Sequence, residues 1–269
     1  GKLRSGVFEL EGDVSSQYVT GLLFALPLLD GDSEIRMLSK LESKPYVDLT
    51  IACLRHFGIA VQETEQGYAV AGGQQYHACD LTVEGDYSQA AFFCVANALG
   101  SDITLTNLNP ESVQGDKKIV EIVREMCYNR EQGLPAGFTV DAADIPDLVP
   151  ILAVLATFGT APSSITGAHR LAIKESDRLA STADLLNRLG GKVTATPDGL
   201  EIEPVKQLHG GTVDSCGDHR IAMCAAVAAT RCAGEVTILH GECVEKSYPR
   251  FYEDYRQLGG IANVIVLES

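Results

Sequence analysis

The hydrophobic pattern of the chain repeats one arrangement four times. In each copy a short β-like run and a polar turn lead into an apolar run long enough for a buried helix. The openings are 12–17, 85–89, 143–147 and 217–220, and the runs extend to Leu29, Leu99, Leu155 and Ala229. Each opening carries a short polar residue suited to an N-cap, and each run is apolar on nearly every side. We therefore expect four buried helices.

An amphipathic helix follows each predicted buried helix. These second helices are predicted at 44–57, 116–126, 174–189 and 246–258. β-rich segments such as 103–106 and 236–239 lie between and after the helices. Two copies end in a helix stopped by glycine and then a hairpin, at 59–71 and 193–203. The repeat is therefore β-α-β-α-β-β, and the fold class is α/β.

The two ends of the chain depart from this repeat. The first unit opens with barely one strand, 8–10, and the last ends in a predicted strand, 261–267, without a hairpin partner. Such a strand would be an unpaired edge or would pair with a segment from elsewhere in a longer protein. The chain also starts at Gly1 rather than Met. We expect it to be part of a longer polypeptide.

Composition narrows the possible partners. The 269 residues include 21 Lys and Arg against 36 Asp and Glu, a formal net charge of −15. This balance argues against general binding to nucleic acid or anionic membranes. An apolar fraction of 45% with 21% charged residues is typical of a folded protein. With no signal-peptide pattern and no apolar run of about 18 residues, we expect a cytoplasmic protein without a membrane span.

The cysteines indicate a reducing environment. The eight thiols form no CxxC pair and lie in apolar or small-residue stretches. We expect most of them to be buried and reduced, with no disulfide framework. We find no set of closely spaced Cys and His ligands among the eight cysteines and six histidines that matches the pattern of a zinc site. The sequence thus predicts neither a metal nor a cofactor.

Positive charge accumulates at predicted helix starts, where the helix dipole disfavours it. The basic residues at these helix starts are Lys44, Lys174, Arg178, His219, Arg220 and Lys246. Lys174 and Arg178, four residues apart, are expected on one helix face. Each has an ordinary structural explanation when taken singly, such as a surface ion pair or a satisfied histidine. Their recurrence in three of the four units favours a site for phosphate or carboxylate groups.

Five motifs together resemble a known family. They are Val14-Ser15-Ser16-Gln17, Ser43-Lys44-Pro45-Tyr46, Ile145-Pro146-Asp147, Lys174-Glu175-Ser176-Asp177-Arg178 and Gly217-Asp218-His219-Arg220-Ile221-Ala222-Met223. In this order they resemble the 5-enolpyruvylshikimate-3-phosphate synthases, the enolpyruvyl transferases of the shikimate pathway, and the resemblance covers essentially the whole chain.

The resemblance implies two domains of three β-α-β-α-β-β units each. Four units are visible, so 1–84 would be the last unit of the substrate-binding domain and 85–269 the second domain, with its last unit incomplete. About 150 N-terminal residues would be missing.

The resemblance also implies a reaction and residue roles. The enolpyruvyl group of phosphoenolpyruvate would move to the 5-hydroxyl of shikimate 3-phosphate, with release of phosphate and no cofactor. The implied catalytic residues are Asp147, Glu175 and Lys174. The implied shikimate 3-phosphate ligands are Ser15, Ser16, Gln17, Ser43, Tyr46, Asp147, Arg170 and Lys174. The implied phosphoenolpyruvate ligands are Gln17, Arg178, Arg220 and Lys246. The complete protein is expected to be a monomer.

Two other functions remain open at the sequence level. One is the sister transferase that acts on UDP-N-acetylglucosamine, although the Ser-Ser-Gln and Lys-Pro-Tyr segments favour the shikimate enzyme. The other is a folded, non-catalytic piece of a larger or multifunctional protein. RNA cyclases share the repeat, but the charge of −15 argues against them. Because the family's N-terminal substrate-binding residues have no counterpart here, we expect this chain alone to lack synthase activity.

Overall fold

The computed structural model of the protein describes residues 1–131 and 136–265, and the chain forms two compact units. Unit 1 comprises three segments, Gly1–Gly85, Asn109–Lys117 and Ala143–Ile145. Unit 2 comprises Asp86–Leu108, Lys118–Ala142 and the described residues from Pro146 onward.

Unit 1 contains one complete copy of the predicted repeat. Its elements are β1 Val7–Leu10, α1 Ser16–Ala25, β2 Ser33–Met37, α2 Lys44–His56, β3 Gln62–Thr64 and β4 Gly67–Val70. The four strands form one sheet in the order β1-β2-β4-β3. β1 and β2 are parallel, and the other neighbours are antiparallel. The prediction of a repeat that ends in a hairpin is confirmed here.

The core of unit 1 lies between the sheet and its two helices. Leu23 of α1, Ile35 of β2 and Val47 of α2 are all completely buried. α1 was predicted to be buried on every side, and this is wrong, since Tyr18 is 60% exposed and Phe24 is 45% exposed. The reason is that α1 packs mainly against α2 within unit 1, which covers one face only.

Unit 2 contains the remaining helices and strands. They are α3 Tyr87–Ala98, α4 Lys118–Glu131, β5 Thr139–Asp141, α5 Val149–Thr157, β6 Ser163–Thr166, α6 Arg178–Arg188, β7 Lys192–Thr196, β8 Gly199–Glu203, β9 Gly211–Asp214, α7 His219–Ala229, β10 Val236–Leu239 and α8 Phe251–Gln257. One sheet has the order β5-β6-β8-β7. This order and its strand directions repeat those of unit 1. β9 and β10 form a separate parallel pair.

Three apolar helices form the core of unit 2. α3, α5 and α7 all contact one another, and every residue of α5 is buried. The predicted polar caps are present on two of them, since Asp86 caps α3 and Asp218 caps α7 through side-chain carboxylates. On α5 the prediction is wrong, because Leu148 occupies the N-cap position after a 3₁₀ turn. An apolar side chain cannot accept the hydrogen bond that a cap requires.

A glycine at the same place in both hairpins permits close strand packing. A Cβ on Gly67 would lie 2.1 Å from the carbonyl oxygen of Ile35, and one on Gly199 would lie 1.7 Å from that of Ile165. These distances leave no space for a side chain. The two repeats therefore share a backbone constraint as well as a strand order.

Several predicted boundaries shift. α6 begins at Arg178 rather than at 174, so the expectation that Lys174 and Arg178 share a helix face is wrong. Asp177 explains the shift, because its side chain accepts the N–H of Ala180 and caps the helix there. Likewise Lys246 ends a 3₁₀ segment, and α8 starts only at Phe251.

Two predicted strands are absent from the described residues. Residues 103–106 pair with no strand there, and the side chain of Asn97 binds both backbone groups of Ile103, each at 2.8 Å. Residues 261–265 are also irregular, and Ile261 is 90% exposed. With no neighbouring strand, nothing satisfies their backbone in a sheet. The rest of that predicted strand, 266–267, lies outside the described residues.

The cysteines are less buried than expected. All eight lie in the described residues and are free thiols, but only Cys224 is fully buried. Cys79 and Cys216 are exposed because each lies in irregular chain or a turn rather than in a packed helix. The other five are partly buried.

Candidate functional site

The predicted site residues follow the carboxyl ends of parallel strands. Within a β-α-β unit this edge also receives the start of each helix, while the helix ends lie at the opposite edge. In unit 1 the segments after β1 and β2 touch, because Gly12 accepts the backbone N–H of Glu42 at 3.0 Å. A Cβ on Gly12 would lie 2.6 Å from the oxygen of Lys40, so only glycine fits.

Ser15, Ser16 and Gln17 begin α1 at this edge of unit 1. Ser15 is the N-cap, and its hydroxyl accepts the backbone N–H of Gln17 at 3.3 Å. Ser16 is partly buried and Gln17 is exposed. The first turn of α1 thus presents polar side chains beside helical N–H groups, an arrangement that suits an anion.

Ser43 and Tyr46 begin α2 at the same edge. Ser43 has a left-handed backbone (φ 56°), and both its N–H and its hydroxyl donate to the carbonyl of Ala143, at 3.0 and 3.4 Å. Tyr46 donates its hydroxyl to Asp116 Oδ2 at 3.0 Å. Asp116 is 3% exposed. The phenol of Tyr46 is therefore oriented by a buried carboxylate that sequence reasoning missed.

In unit 2, Arg178 lies at the centre of a charged network. Its side chain is 2% exposed and contacts three carboxylates. Nε donates to Asp218 Oδ2 at 2.7 Å, Nη1 to Asp147 Oδ1 at 2.8 Å, and Nη2 to Glu175 Oε2 at 2.6 Å. Burial opposes the charge of Arg178, but Asp218, Asp147 and Glu175 outweigh it and raise its pKa. Arg178 stays charged and fixes the relative positions of these carboxylates.

Asp147 lies between two arginines. Its Oδ2 accepts Nη2 of Arg220 at 2.9 Å, while Oδ1 accepts Arg178. Burial opposes ionisation of Asp147, but the charges of Arg220, Arg178 and Lys174 outweigh it and lower its pKa. Asp147 is therefore a carboxylate at neutral pH. Its side chain is 22% exposed, which leaves it within reach of a ligand.

Glu175 joins Lys246 to the same network. Its Oε1 accepts Nζ of Lys246, which follows β10, while its Oε2 accepts Arg178. Burial of Glu175 favours its neutral form, yet the hydrogen bond from Lys246 and the charge of Arg178 lower its pKa to about 2. Lys246 is 54% exposed and Glu175 is 28% exposed. The ion pair of Glu175 and Lys246 is thus the part of the network that solvent and ligands can reach.

The start of α7 carries donors that lack a partner within the described residues. His219 is 4% exposed and Arg220 is 7% exposed, yet His219 Nδ1 and Arg220 Nε have no hydrogen-bond partner there. Burial and the nearby charge of Arg220 lower the pKa of His219, so the ring is neutral at pH 7. Arg220 Nε carries a proton, and an unsatisfied buried donor is costly, so an anionic ligand would satisfy it. His219 Nδ1 would act in the same way in the tautomer that carries its proton.

The structure thus brings together five predicted residues in unit 2, namely Asp147, Glu175, Arg178, Arg220 and Lys246. Lys174 is exposed and adds positive charge near Asp147. Arg170 is 5% exposed in the 3₁₀ segment His169–Ile173. The predicted residues Ser15, Ser16, Gln17, Ser43 and Tyr46 belong to unit 1. Asp218 was predicted only as a cap, although its place beside two cationic residues in the sequence could have indicated more.

Comparison with known proteins identifies the family. A model of the EPSP synthase family, 3-phosphoshikimate 1-carboxyvinyltransferase, matches residues 1–255. The chain belongs to this family. A curated 3-phosphoshikimate 1-carboxyvinyltransferase from Clostridium kluyveri is 46% identical over 97% of the chain, and one from Clostridium beijerinckii is 43% identical over 97%. The chain spans 63% of the length of each of these relatives.

Solved structures agree with this family and fold. An EPSP synthase from Acinetobacter baumannii is 26% identical, with a TM-score of 0.78 over 96% of this chain and 63% of that one. An enolpyruvyl transferase from Streptomyces tendae, 18% identical, shares the fold with a TM-score of 0.68, and the match covers 97% of this chain and 65% of that one. These matches confirm the predicted α/β fold of enolpyruvyl transferases.

Across 1–131 and 136–265, no group of three or more His, Cys, Asp or Glu side chains is arranged to hold a metal ion. In the same ranges, no helix combines the length and the apolar character that a membrane crossing requires.

Proposed function

We propose that this chain supplies residues for transfer of the enolpyruvyl group of phosphoenolpyruvate to the 5-hydroxyl of shikimate 3-phosphate, with release of phosphate. The observation that carries the proposal is the network of Asp147, Glu175, Arg178, Arg220 and Lys246, in which carboxylates and cations meet at one edge of unit 2. The names of the curated relatives support the same reaction.

The reaction needs both the carboxylates and the cations of the network. In the addition, the hydroxyl oxygen bonds to C2 of phosphoenolpyruvate, the hydroxyl proton goes to a base, and an acid protonates the methylene carbon. In the elimination, the new methyl group loses a proton and the bond between C2 and the phosphate oxygen breaks. Cations must hold the donor's phosphate and carboxylate throughout.

The carboxylates of the network fit the proton transfers. Asp147, ionised at neutral pH, would accept a hydrogen bond from the 5-hydroxyl and take its proton. Lys174 would protonate the methylene carbon in the addition, and Glu175, which is ionised, would take a proton from the new methyl group in the elimination. Because Arg220 and Arg178 stabilise the Asp147 carboxylate, it becomes a stronger base when the donor's negative charges draw those arginines away.

The cations of the network fit the donor. Arg220 and Lys246 each contact one carboxylate, and the donor's phosphate and carboxylate would compete with Asp147 and Glu175 for them. Arg178, which its carboxylate partners hold in place, would be the third cation that contacts the donor. The unsatisfied nitrogens of His219 and Arg220 also support an anionic ligand here.

The acceptor would bind through residues of unit 1. The first turn of α1, with Ser15, Ser16 and Gln17, would contact shikimate 3-phosphate, and Gln17 would also contact the donor. Ser43 and Tyr46 at the start of α2 would complete this group. From unit 2, Lys174 and Arg170 are the remaining proposed acceptor contacts.

The domain boundaries, the cellular location and the oligomeric state are proposals as well. Residues 1–84 would form the last repeat of one domain and 85–269 a second domain, which the shared strand order of the two complete repeats supports. The protein would act in the cytoplasm, as its eight free thiols suggest, and as a monomer when complete. Light scattering of the complete protein tests the last point, and a dimer would contradict it.

Calorimetry with this chain tests the proposal. Shikimate 3-phosphate and then phosphoenolpyruvate are titrated into the chain, with and without the N-terminal portion of the Clostridium kluyveri relative, and phosphate release is followed in parallel. We expect turnover only with the added portion. Arg220→Gln should weaken phosphoenolpyruvate binding about tenfold or more, whereas Arg188→Gln, in an exposed ion pair with Asp184, should not. Binding of UDP-N-acetylglucosamine instead would contradict the proposal.

A further inference from the structure

Asp218 is more deeply buried than a helix cap needs to be. Its side chain is 0% exposed, and its Oδ1 accepts the backbone N–H of Arg220 at 2.9 Å. A short neutral side chain would do this, as Ser15 does for α1. Burying a carboxylate is costly unless several donors surround it. The capping role alone therefore does not explain why this position carries a fully buried charge.

The second oxygen of Asp218 binds the segment that precedes α6. Oδ2 accepts Nε of Arg178 at 2.7 Å and the hydroxyl of Ser176 at 3.1 Å. Oδ1 also lies 3.5 Å from Nη2 of Arg178. One carboxylate thus joins the segment after β6 to the start of α7, although 40 residues separate Asp218 from Arg178.

We infer that Asp218 is a positioning residue that orients the guanidinium of Arg178 and sets it in register with Arg220. A guanidinium is planar, so a carboxylate that holds Nε restricts rotation of the whole group. Nη1 and Nη2 are then directed at Asp147 and Glu175, the two carboxylates with proposed proton-transfer roles. Through its other oxygen the same side chain fixes the first turn that carries Arg220.

The effect on donor affinity rests on the proposed function, whereas the orientation of Arg178 does not. Asp218→Asn is the main variant. Asparagine remains a good N-cap, but its NH₂ group then faces the Nε–H of Arg178, and the charge is lost. Asp86→Asn is the matched control, because Asp86 caps α3 in the same unit through Oδ1, at 2.8 Å from the N–H of Ser88.

Two measurements are made on each variant of this chain. Calorimetry gives the affinity for phosphoenolpyruvate, and we expect Asp218→Asn to weaken it about tenfold, as for loss of one charge-assisted contact, with Asp86→Asn unchanged. NMR of the arginine side chains gives the exchange rate of the Arg178 Nε–H, assigned through its own side-chain carbons. This proton should exchange slowly in the wild type and in Asp86→Asn, and rapidly in Asp218→Asn.

The outcomes separate the inference from the proposed function. If phosphoenolpyruvate binds Asp218→Asn as tightly as the wild type while the variant is folded, the positioning role is overturned. If the wild type does not bind phosphoenolpyruvate even with the N-terminal portion added, the proposed function fails, and the exchange rates still decide the orientation of Arg178. Should Asp218→Asn fail to fold, the wild-type signal alone decides. A rapidly exchanging wild-type Nε–H would then contradict the inference.

Discussion

Arg220 reaches Asp147 across 73 residues of sequence, with 2.9 Å between Nη2 and Oδ2. Its Nη1 also lies 3.4 Å from the backbone oxygen of Asp147. The contact joins the start of α7 to the segment after β5, two elements that the sequence separates widely. Both the stability and the chemistry of unit 2 should therefore depend on this pair.

Asp147→Asn should lower the free energy of unfolding by about 2 kcal/mol, because one of two mostly buried arginines then faces an NH₂ group instead of a carboxylate oxygen. Chemical unfolding followed by circular dichroism measures the loss. Asp184→Asn is the control, since its ion pair with Arg188 is exposed to solvent and should contribute little to stability. Equal losses in the two variants would show that the Asp147 network adds nothing to stability.

Acid should destabilise the protein through Glu175. Its pKa is about 2 in the folded protein, against an ordinary value of 4.5. Above pH 4.5 both folded and unfolded chains are ionised at this position, and the full stabilisation is present. Between pH 4.5 and 2 the unfolded chain takes up a proton first, so the stabilisation is progressively lost. Asp147, whose pKa is also lowered, acts in the same direction below its ordinary value of 3.8.

The measurement for this prediction is the free energy of unfolding of the wild type and of Glu175→Gln at several pH values. The difference between the two should shrink as the pH falls from 4.5 to 2. A difference that stays constant over this range would show that the Glu175 pKa is not lowered.

Glu175→Gln should also strengthen binding of inorganic phosphate, by about three- to tenfold. Glu175 occupies Lys246 and one side of Arg178, and glutamine would compete with phosphate less strongly for both cations. Calorimetry with phosphate measures the change. Glu121→Gln is a suitable control, because Glu121 forms a comparable but exposed pair with Lys118. Weaker phosphate binding in Glu175→Gln would mean that Glu175 helps to hold the anion.

The thiols should react with alkylating reagents in an order set by exposure. Cys79 and Cys216 are exposed and should react first. Cys224 is fully buried, and burial raises its pKa well above the ordinary value, so it should react only when unit 2 unfolds. Mass spectrometry after timed alkylation gives the order. Early labelling of Cys224 in the native protein would contradict the buried position of α7.

Local signals predicted much of the fold. The openings 85–89 and 217–220 were predicted to carry caps because a short polar residue precedes an apolar run, and Asp86 and Asp218 cap the helices there. The start of α6 was predicted wrongly because the charged residues before Asp177 also suit a helix. Burial on α1 was overestimated since periodicity reports apolar character but not what covers it. These errors concern neighbours in space, which local sequence does not specify.

In the candidate site, too, the sequence predicted which residues belong to it but not which contacts they make. Repeated cations at helix starts predicted an anion site, and the family resemblance named its residues. The contacts that orient these residues, such as Tyr46 with Asp116 and Arg178 with Asp218, join positions 70 and 40 residues apart. Such pairs depend on the packing of whole elements and leave little mark on local spacing.

Strands and helices alternate in unit 2, so the proposed catalytic residues and the turns that follow the helices lie at opposite edges of the repeat. Because the proposed catalytic residues follow the carboxyl ends of strands, the turn between α5 and β6 lies at the other edge of that repeat. A dye or an immobilisation tag attached at position 162, after the exposed Pro162 is replaced by a residue with a reactive side chain, would leave the charged network accessible to small molecules. The repeat architecture thus offers a site for building a sensor from this chain.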